Sequence, residues 1–173
     1  FQLAYGNVRF VGNTADFENA NKALSVAENI EIIPLADLPF ATLDAYDRAF
    51  FPAARSQFTQ QWIKQTDSQA VGIVQNGVLS GYGVIRPTRD GYKVAPLFAD
   101  TPELAERLFL HLTSLVGGNA AIFIDVPNVN AAAMELVKRF AMTPCFETAR
   151  MYTGAAPDLP LSKTFGVTSF EIG

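Results

Sequence analysis

Apolar and polar positions along the chain alternate in two different periods, and each change of period marks a change of element. Phe1 to Gly12, FQLAYGNVRFVG, is rich in aromatic and β-branched residues and reads as a strand. The polar stretch after it, GNTADFENANK, reads by composition as a linker covering residues 13–29. Glu31-Ile32-Ile33-Pro34-Leu35 predicts a short strand. Leu43, Tyr46 and Phe50 then recur at helical spacing between Asp37 and Phe51, and Pro52 stops that helix. A second helix spans Ala54 to Thr66, with Phe58, Trp62 and Ile63 on one face. Three strands follow as an antiparallel meander. The first two are separated by the tight turn Asn76-Gly77, and Arg89-Asp90-Gly91 leads into the third, Tyr92 to Ala99.

The next helix is well specified. Thr101 suits the N-cap, Pro102 the first helical position, and Glu103 the positive end of the dipole. Leu104, Leu108, Leu112 and Leu115 are its expected buried stripe, and Gly117-Gly118 ends it. Ala120 to Pro127 is a short apolar run, as expected of a buried strand beside a crossover helix. Asn130 caps a further helix whose core face is Ala133, Leu136, Val137 and Phe140. An alternating strand begins at Cys145, and a proline-rich loop (Ala155 to Pro160) leads to a last strand, FGVTSFEIG. The pattern predicts an α+β fold with one mixed, mainly antiparallel sheet and helices on both faces. Within it the strands at Tyr92 to Ala99 and Ala120 to Pro127 lie parallel. Residues 30–173 form the expected domain, and the strand at 1–12 is left over, as if it belonged to an upstream unit.

Composition narrows the function. Hydrophobic residues make up 49 % and charged residues 17 %, which fits a folded core. A net charge of −4 without a basic stripe argues against a nucleic-acid partner. No apolar run reaches the ~18 residues of a membrane span. The lone Cys145 excludes an intrachain disulfide and points to a reducing compartment, so a cytoplasmic location is expected. With one histidine and one cysteine, no metal site is expected.

The junction Ala99-Asp100-Thr101-Pro102-Glu103 runs from a strand into a helix N-terminus, a place where backbone N–H groups often hold phosphate. It lacks the glycines that let a pyrophosphate approach, and it carries two carboxylates.

The order of elements, together with DVPNVNAAAMELVKRFAMTPCFETARMY, resembles the GNAT superfamily of acyl-CoA-dependent N-acetyltransferases. GYGVIRP, PLFAD, FIDVP, FETARMY and FGVTSFEIG more closely resemble the second half of bacterial proteins built from two GNAT units in tandem. The resemblance implies the GNAT acyltransferase fold, acetyl-CoA as co-substrate and an amine acceptor. It also implies a fourth strand, here Val94 to Ala99, that splays from the fifth and leaves backbone groups free for the pantetheine. The implied cofactor contacts are Leu97, Phe98, Ala99, Thr101 and Asn130, of which Asn130 reads equally as a simple N-cap.

Two departures stand out against that family pattern. Asp100 and Glu103 would oppose a pyrophosphate, and Val137 stands where a proton-donating tyrosine is common. The resemblance places Asp47, Arg48 and Arg55 on the segment covering the acceptor, whereas spacing alone also allows a surface ion pair for Asp44, Asp47 and Arg48. No catalytic residue is evident. Tyr152 is the weak candidate, sharing a strand face with Thr148 and Arg150 and opposed to Glu147. Cys145 is expected buried and inert, and His111 at the margin of a packed helix. The expected partners are a small-molecule amine or an upstream GNAT unit, with homodimerisation also open. A non-catalytic module for dimerisation or small-ligand binding stands as the alternative to an enzyme. A third reading has this unit binding acyl-CoA through Thr101 and the helix N-terminus despite the acids.

Overall fold

The computed structural model describes residues 1–23 and 29–172. One sheet carries the fold. Its strands are β1 (Gln2–Asn13), β2 (Ile30–Pro34), β3 (Gln69–Gln75), β4 (Val78–Thr88), β5 (Gly91–Ala99), β6 (Ala121–Pro127), β7 (Thr143–Tyr152) and β8 (Thr164–Gly166). The order across the sheet is β2-β3-β4-β5-β6-β1-β7, with β8 paired to β5 off that path. The helices are α1 (Thr14–Ala23), α2 (Phe40–Asp47), α3 (Ser56–Trp62), α4 (Pro102–Ser114) and α5 (Ala131–Arg139). β5 and β6 pair in parallel through the α4 crossover, and the other pairings are antiparallel.

The pleat sorts side chains into two cores. Val8 and Phe10 of β1, Ile122, Ile124 and Val126 of β6, and the apolar stripes of α1, α4 and α5 fill one face. Leu43, Phe50, Tyr82, Val84 and Phe98 fill the other, beneath α2 and α3. Among the described residues no helix is long and apolar enough to cross a membrane.

The N-terminal strand departs from expectation. It is no surplus strand: β1 lies inside the sheet, opposite β6 from Asn7↔Pro127 to Asn13↔Ala121 and opposite β7 on its other edge. Two kinds of contact hold it there. Val8 and Phe10 alternate into the core, and Arg9 reaches its cross-strand neighbour Asp125 through Nε at 2.7 Å and Nη2 at 2.9 Å. Lys93 of β5 donates to the same fully buried carboxylate, and the Phe170 ring covers both cations, 4.7 Å from Arg9 and 5.4 Å from Lys93. Burial pushes the Lys93 amine below its ordinary pKa, against the pull of Asp125.

Four further differences concern single elements. Thr14–Ala23, read as linker, is helical because one residue anchors it. Phe17 is buried edge-on against Phe109 and Phe140, and Asn13 Oδ1 accepts from the Ala15 N–H at the helix start. The rest of the expected linker, residues 24–28, lies outside the described residues. Leu115 is exposed, as the C-cap residue just past the end of α4 at Ser114. Cys145 is exposed as well, on the edge strand β7. The last strand is cut to three residues, Thr164–Gly166.

Because β1 sits inside the sheet, Phe10→Ala is expected to cost about 3 kcal/mol in urea unfolding, the usual loss for a buried aromatic. A loss below about 1 kcal/mol would mean that β1 is peripheral.

Candidate functional site

The parallel pairing of β5 with β6 is short. It runs from Tyr92↔Ile122 to Val94↔Ile124 and stops there. The sequence explains the stop: Pro96 follows, with no N–H to donate, and the β4–β5 register also shifts between Gly83 and Ile85. Beyond this point the two strands part and leave a slot.

The chain's own C-terminal segment fills it. Leu97 pairs with Gly166 and Phe98 with Thr164, while the Val167 N–H donates to the Asp125 carbonyl at 2.9 Å. Phe165 is fully buried, and Gly166 fits because a Cβ there would come within 3.0 Å of Ile124. Asn130 does two jobs. Its Oδ1 caps α5 by accepting from the Ala133 N–H at 3.2 Å, and its Nδ2 donates to the carbonyls of Thr164 at 2.9 Å and Ser162 at 3.3 Å. The backbone expected to be free for a pantetheine at Leu97 and Phe98 is therefore engaged, and Ala99 is paired to Gly81 on its β4 side.

The helix junction beside the slot is also engaged from within. Thr101 Oγ1 caps α4 by accepting from the Leu104 N–H at 3.3 Å. The Glu103 carboxyl is held below its usual pKa first by its own backbone N–H and then by Thr101, as an acid at a positive helix end should be. Asp100 Oδ1 accepts from Lys163 Nζ at 3.1 Å and from the Tyr46 hydroxyl at 3.2 Å. Burial, reinforced by Asp100, raises the Tyr46 pKa, so the phenol stays neutral and donates. Residues 161–167 thus close on this end of the sheet from Lys163 to Val167.

Of the three residues expected at an acceptor, two form a buried ion pair. Asp47 accepts from Arg55 Nη2 at 2.7 Å and Nε at 2.8 Å, from Thr59 Oγ1 at 3.1 Å and from the Tyr82 hydroxyl at 2.5 Å. Arg55 Nη1 also donates to Thr168 Oγ1 at 3.3 Å, so the network ties α2 and α3 to β4 and to the end of the slot segment. Burial, with Asp47 next, holds the Tyr82 hydroxyl well above its ordinary pKa. Arg48 is exposed and donates to the Phe51 carbonyl at 3.0 Å. The i,i+4 surface pair that spacing allowed between Asp44 and Arg48 is absent among the described residues, and Asp47 pairs instead with Arg55, which the turn between the helices brings inward.

An open cleft of roughly 400 Å³ lies next to the filled slot. Phe50, Phe51 and Pro52 form one wall, Leu159 and Leu161 another, and Phe98, Thr164 and Val167 line it from the slot side. Tyr5, Arg150 and Tyr152 enter from β1 and β7, and Glu171 and Ile172 complete it. The Arg55 guanidinium stacks 4.9 Å from the Phe51 ring, so the Asp47 network backs the aromatic wall. Tyr5, opposite Arg150 across the strands, has its pKa raised mainly by burial and then by Tyr152, while Arg150 pulls it down. Tyr152 and Arg150 thus share a cleft, as their common strand face predicted. Asn130, Thr101 and Asp100 surround the slot, away from this cleft lining. His111 is half-buried on α4 with its pKa lowered by burial, and Val137 is in the core. Tyr5, Leu159, Leu161 and Lys163 were not anticipated. Nothing in the sequence links Lys163 to Asp100, and Tyr5 was assigned to a strand outside the domain.

Comparison with known proteins adds a family. Residues 43–166 match the model of an acetyltransferase (GNAT) domain. A holothin acyltransferase from Pseudoalteromonas sp. (strain SANK 73390) is 29 % identical over 98 residues, covering 57 % of this chain and 33 % of that protein. A candidate acetyltransferase from Pyrococcus horikoshii superposes over 100 % of this chain and 53 % of its own, with a TM-score of 0.72 and 22 % identity. A tandem GNAT protein from the clavulanic acid biosynthesis pathway covers 86 % of this chain and 53 % of its own, at a TM-score of 0.64 and 11 % identity. At these identities the solved structures establish the fold alone. The chain spans about half the length of those structures and a third of the curated relative.

Asp47→Ala is expected to cost 3–5 kcal/mol in chemical denaturation, because it leaves the buried Arg55 unpaired, roughly as in other broken buried ion pairs. A loss under about 1 kcal/mol would show that the pair does not hold α2 and α3 in place.

Proposed function

The chain belongs to the GNAT acetyltransferase family, and we propose that it works as the diverged second unit of a tandem N-acetyltransferase. In this reading the whole protein moves an acetyl group from acetyl-CoA to an amine, and this unit shapes the acceptor side. The observation that carries it is the contrast between the filled slot and the open cleft beside it. The slot between β5 and β6 is occupied by Thr164–Val167, and the adjoining helix N-terminus carries Asp100 and Glu103 already engaged. These residues do not fit acetyl-CoA, whose pyrophosphate would meet two carboxylates, so no step of the transfer is placed on them. The grip on acetyl-CoA then belongs to another part of the protein.

The cleft suits an acceptor. It is concave, mostly apolar and carries few polar groups, the usual make-up of a small-molecule site. Tyr5, Arg150 and Tyr152 would bind and orient the acceptor, and Phe50, Phe51 and Leu161 would exclude water around it. Asp47 and Arg55 act one layer behind, as supports of the aromatic wall. The tandem arrangement is supported by the length comparison and by the presence of a tandem GNAT protein among the structural neighbours. A cytoplasmic location follows from the same lone-cysteine reasoning as before.

The test is a thermal melt of this chain with millimolar acetyl-CoA, beside an acetyl-transfer assay of the full-length protein. The chain alone should shift by less than about 1 °C, and the full-length protein should acetylate an amine. A ligand at 100 times its Kd adds about 2.7 kcal/mol, some 5–10 °C for a domain of this size. A shift of that order in the chain alone would place the cofactor here after all.

A further inference from the structure

The cleft contains an unbalanced charge. Arg150 is half-buried, and among the described residues none of the ion pairs includes it. Its Nη2 is out of contact with solvent and has no hydrogen-bond partner. A guanidinium in that state is costly unless something supplies an acceptor, since a buried charged donor left unmade forfeits its hydration without replacement. Its neighbour Tyr5 is hydrogen-bonded to Arg150 and to Tyr152, but as a neutral phenol it offers no compensating charge.

Glu171 is the other charged residue lining the cleft, and it does not balance Arg150. Its carboxyl is held down first by Ser169 and its own backbone N–H, and the cations it senses are Lys93 and Arg9. Those two already share Asp125 beside the Phe170 ring. Glu171 forms no ion pair with Arg150, and among the described residues Arg150 lines the cleft without a paired anion.

We propose that the cleft binds a carboxylate on an apolar skeleton, the carboxylate paired with Arg150 and the skeleton packed on Phe50, Phe51, Leu159 and Leu161. The planar fork of arginine matches a carboxylate by two parallel hydrogen bonds, and the hydroxyls of Tyr5 and Tyr152 in the same lining can donate to a bound acid. A volume of roughly 400 Å³ holds a phenyl ring with a short chain. This deepens the acceptor reading and rests on it in one respect: the substrate would be an apolar amine that also bears a carboxylate. The binding itself does not depend on acetyl transfer.

Three probes with one skeleton separate the possibilities: 4-phenylbutyrate, 4-phenyl-1-butanol and 4-phenylbutylamine, titrated calorimetrically into this chain and into the full-length protein. The carboxylate should bind at least tenfold more tightly than the alcohol. Arg150→Met should weaken the carboxylate at least tenfold and leave the alcohol within twofold, while Arg150→Lys should fall between. Binding of the alcohol by Arg150→Met also checks that the variant is folded, and the three-probe ranking on the unaltered chain needs no variant at all. An amine that binds best, a carboxylate indifferent to Arg150→Met, or no binding by any probe would overturn the proposal. Carboxylate binding with no acetyl transfer by the full-length protein would remove the transferase reading and leave this site standing. Acetylation confined to apolar amines without a carboxylate would do the reverse.

Discussion

Where β5 parts from β6, the backbone groups beyond Pro96 lose their sheet partners inside the protein. Buried N–H and C=O groups must be satisfied somewhere, and leaving each one unmade costs roughly 1–3 kcal/mol. A strand opening of this kind therefore needs an occupant. Here the occupant is covalently part of the chain: Thr164–Gly166 pairs with β5, and Val167 reaches the Asp125 carbonyl on β6. Much of the local chemistry follows from that insertion. Asn130 turns its amide toward Thr164 and Ser162 while it caps α5, Gly166 packs tightly on Ile124, and Lys163 arrives beside Asp100. The Asp100–Lys163 pair is about half exposed and adds at most about 1 kcal/mol. The backbone pairing, repeated over several groups, is the stronger restraint.

The same segment carries the two buried ion clusters on its flank. Thr168 accepts from Arg55, which joins it to Asp47, Thr59 and Tyr82. Phe170 lies over Arg9 and Lys93, which meet at Asp125. One cluster holds α2 and α3 against the sheet, and the other joins β1, β6 and β5. The cleft is lined by neither cluster, but Arg55 of the first backs its Phe51 wall. Its shape depends on elements far apart in sequence, from Tyr5 to Ile172, and on the C-terminal segment staying in the slot.

The sequence was most legible where one local pattern decides an element. Thr101-Pro102-Glu103 marked the start of α4, Asn130 that of α5, and Asn76-Gly77 the β3–β4 turn, and each lies where its chemistry requires. The parallel β5–β6 crossover followed from the helix between two strands. The family resemblance likewise agrees with the matched domain model. Legibility failed where the deciding contact is remote. α1 depends on Phe17 meeting Phe109 and Phe140, about 90 and 120 residues away along the chain, so its polar composition gave no sign of burial. β1 was set aside because the local pattern offered no partner, although its alternation at Val8 and Phe10 was a core signal. Asp47 was noticed, but periodicity along one helix offers it no cation, and only the turn into α3 brings Arg55 to it. In the cleft, Arg150 and Tyr152 could be placed on one strand face, whereas Tyr5 and the loop leucines join them only in three dimensions.

The account turns on the slot being held by the chain itself rather than kept for acetyl-CoA. Hydrogen exchange of the Val167 amide, followed with and without millimolar acetyl-CoA, reads this directly, because that N–H is bonded to the Asp125 carbonyl only while the segment is in place. The account predicts slow exchange in both conditions, with no change on adding acetyl-CoA. Rapid exchange in the free chain, or loss of protection when acetyl-CoA is added, would contradict it by showing a slot that opens for the cofactor.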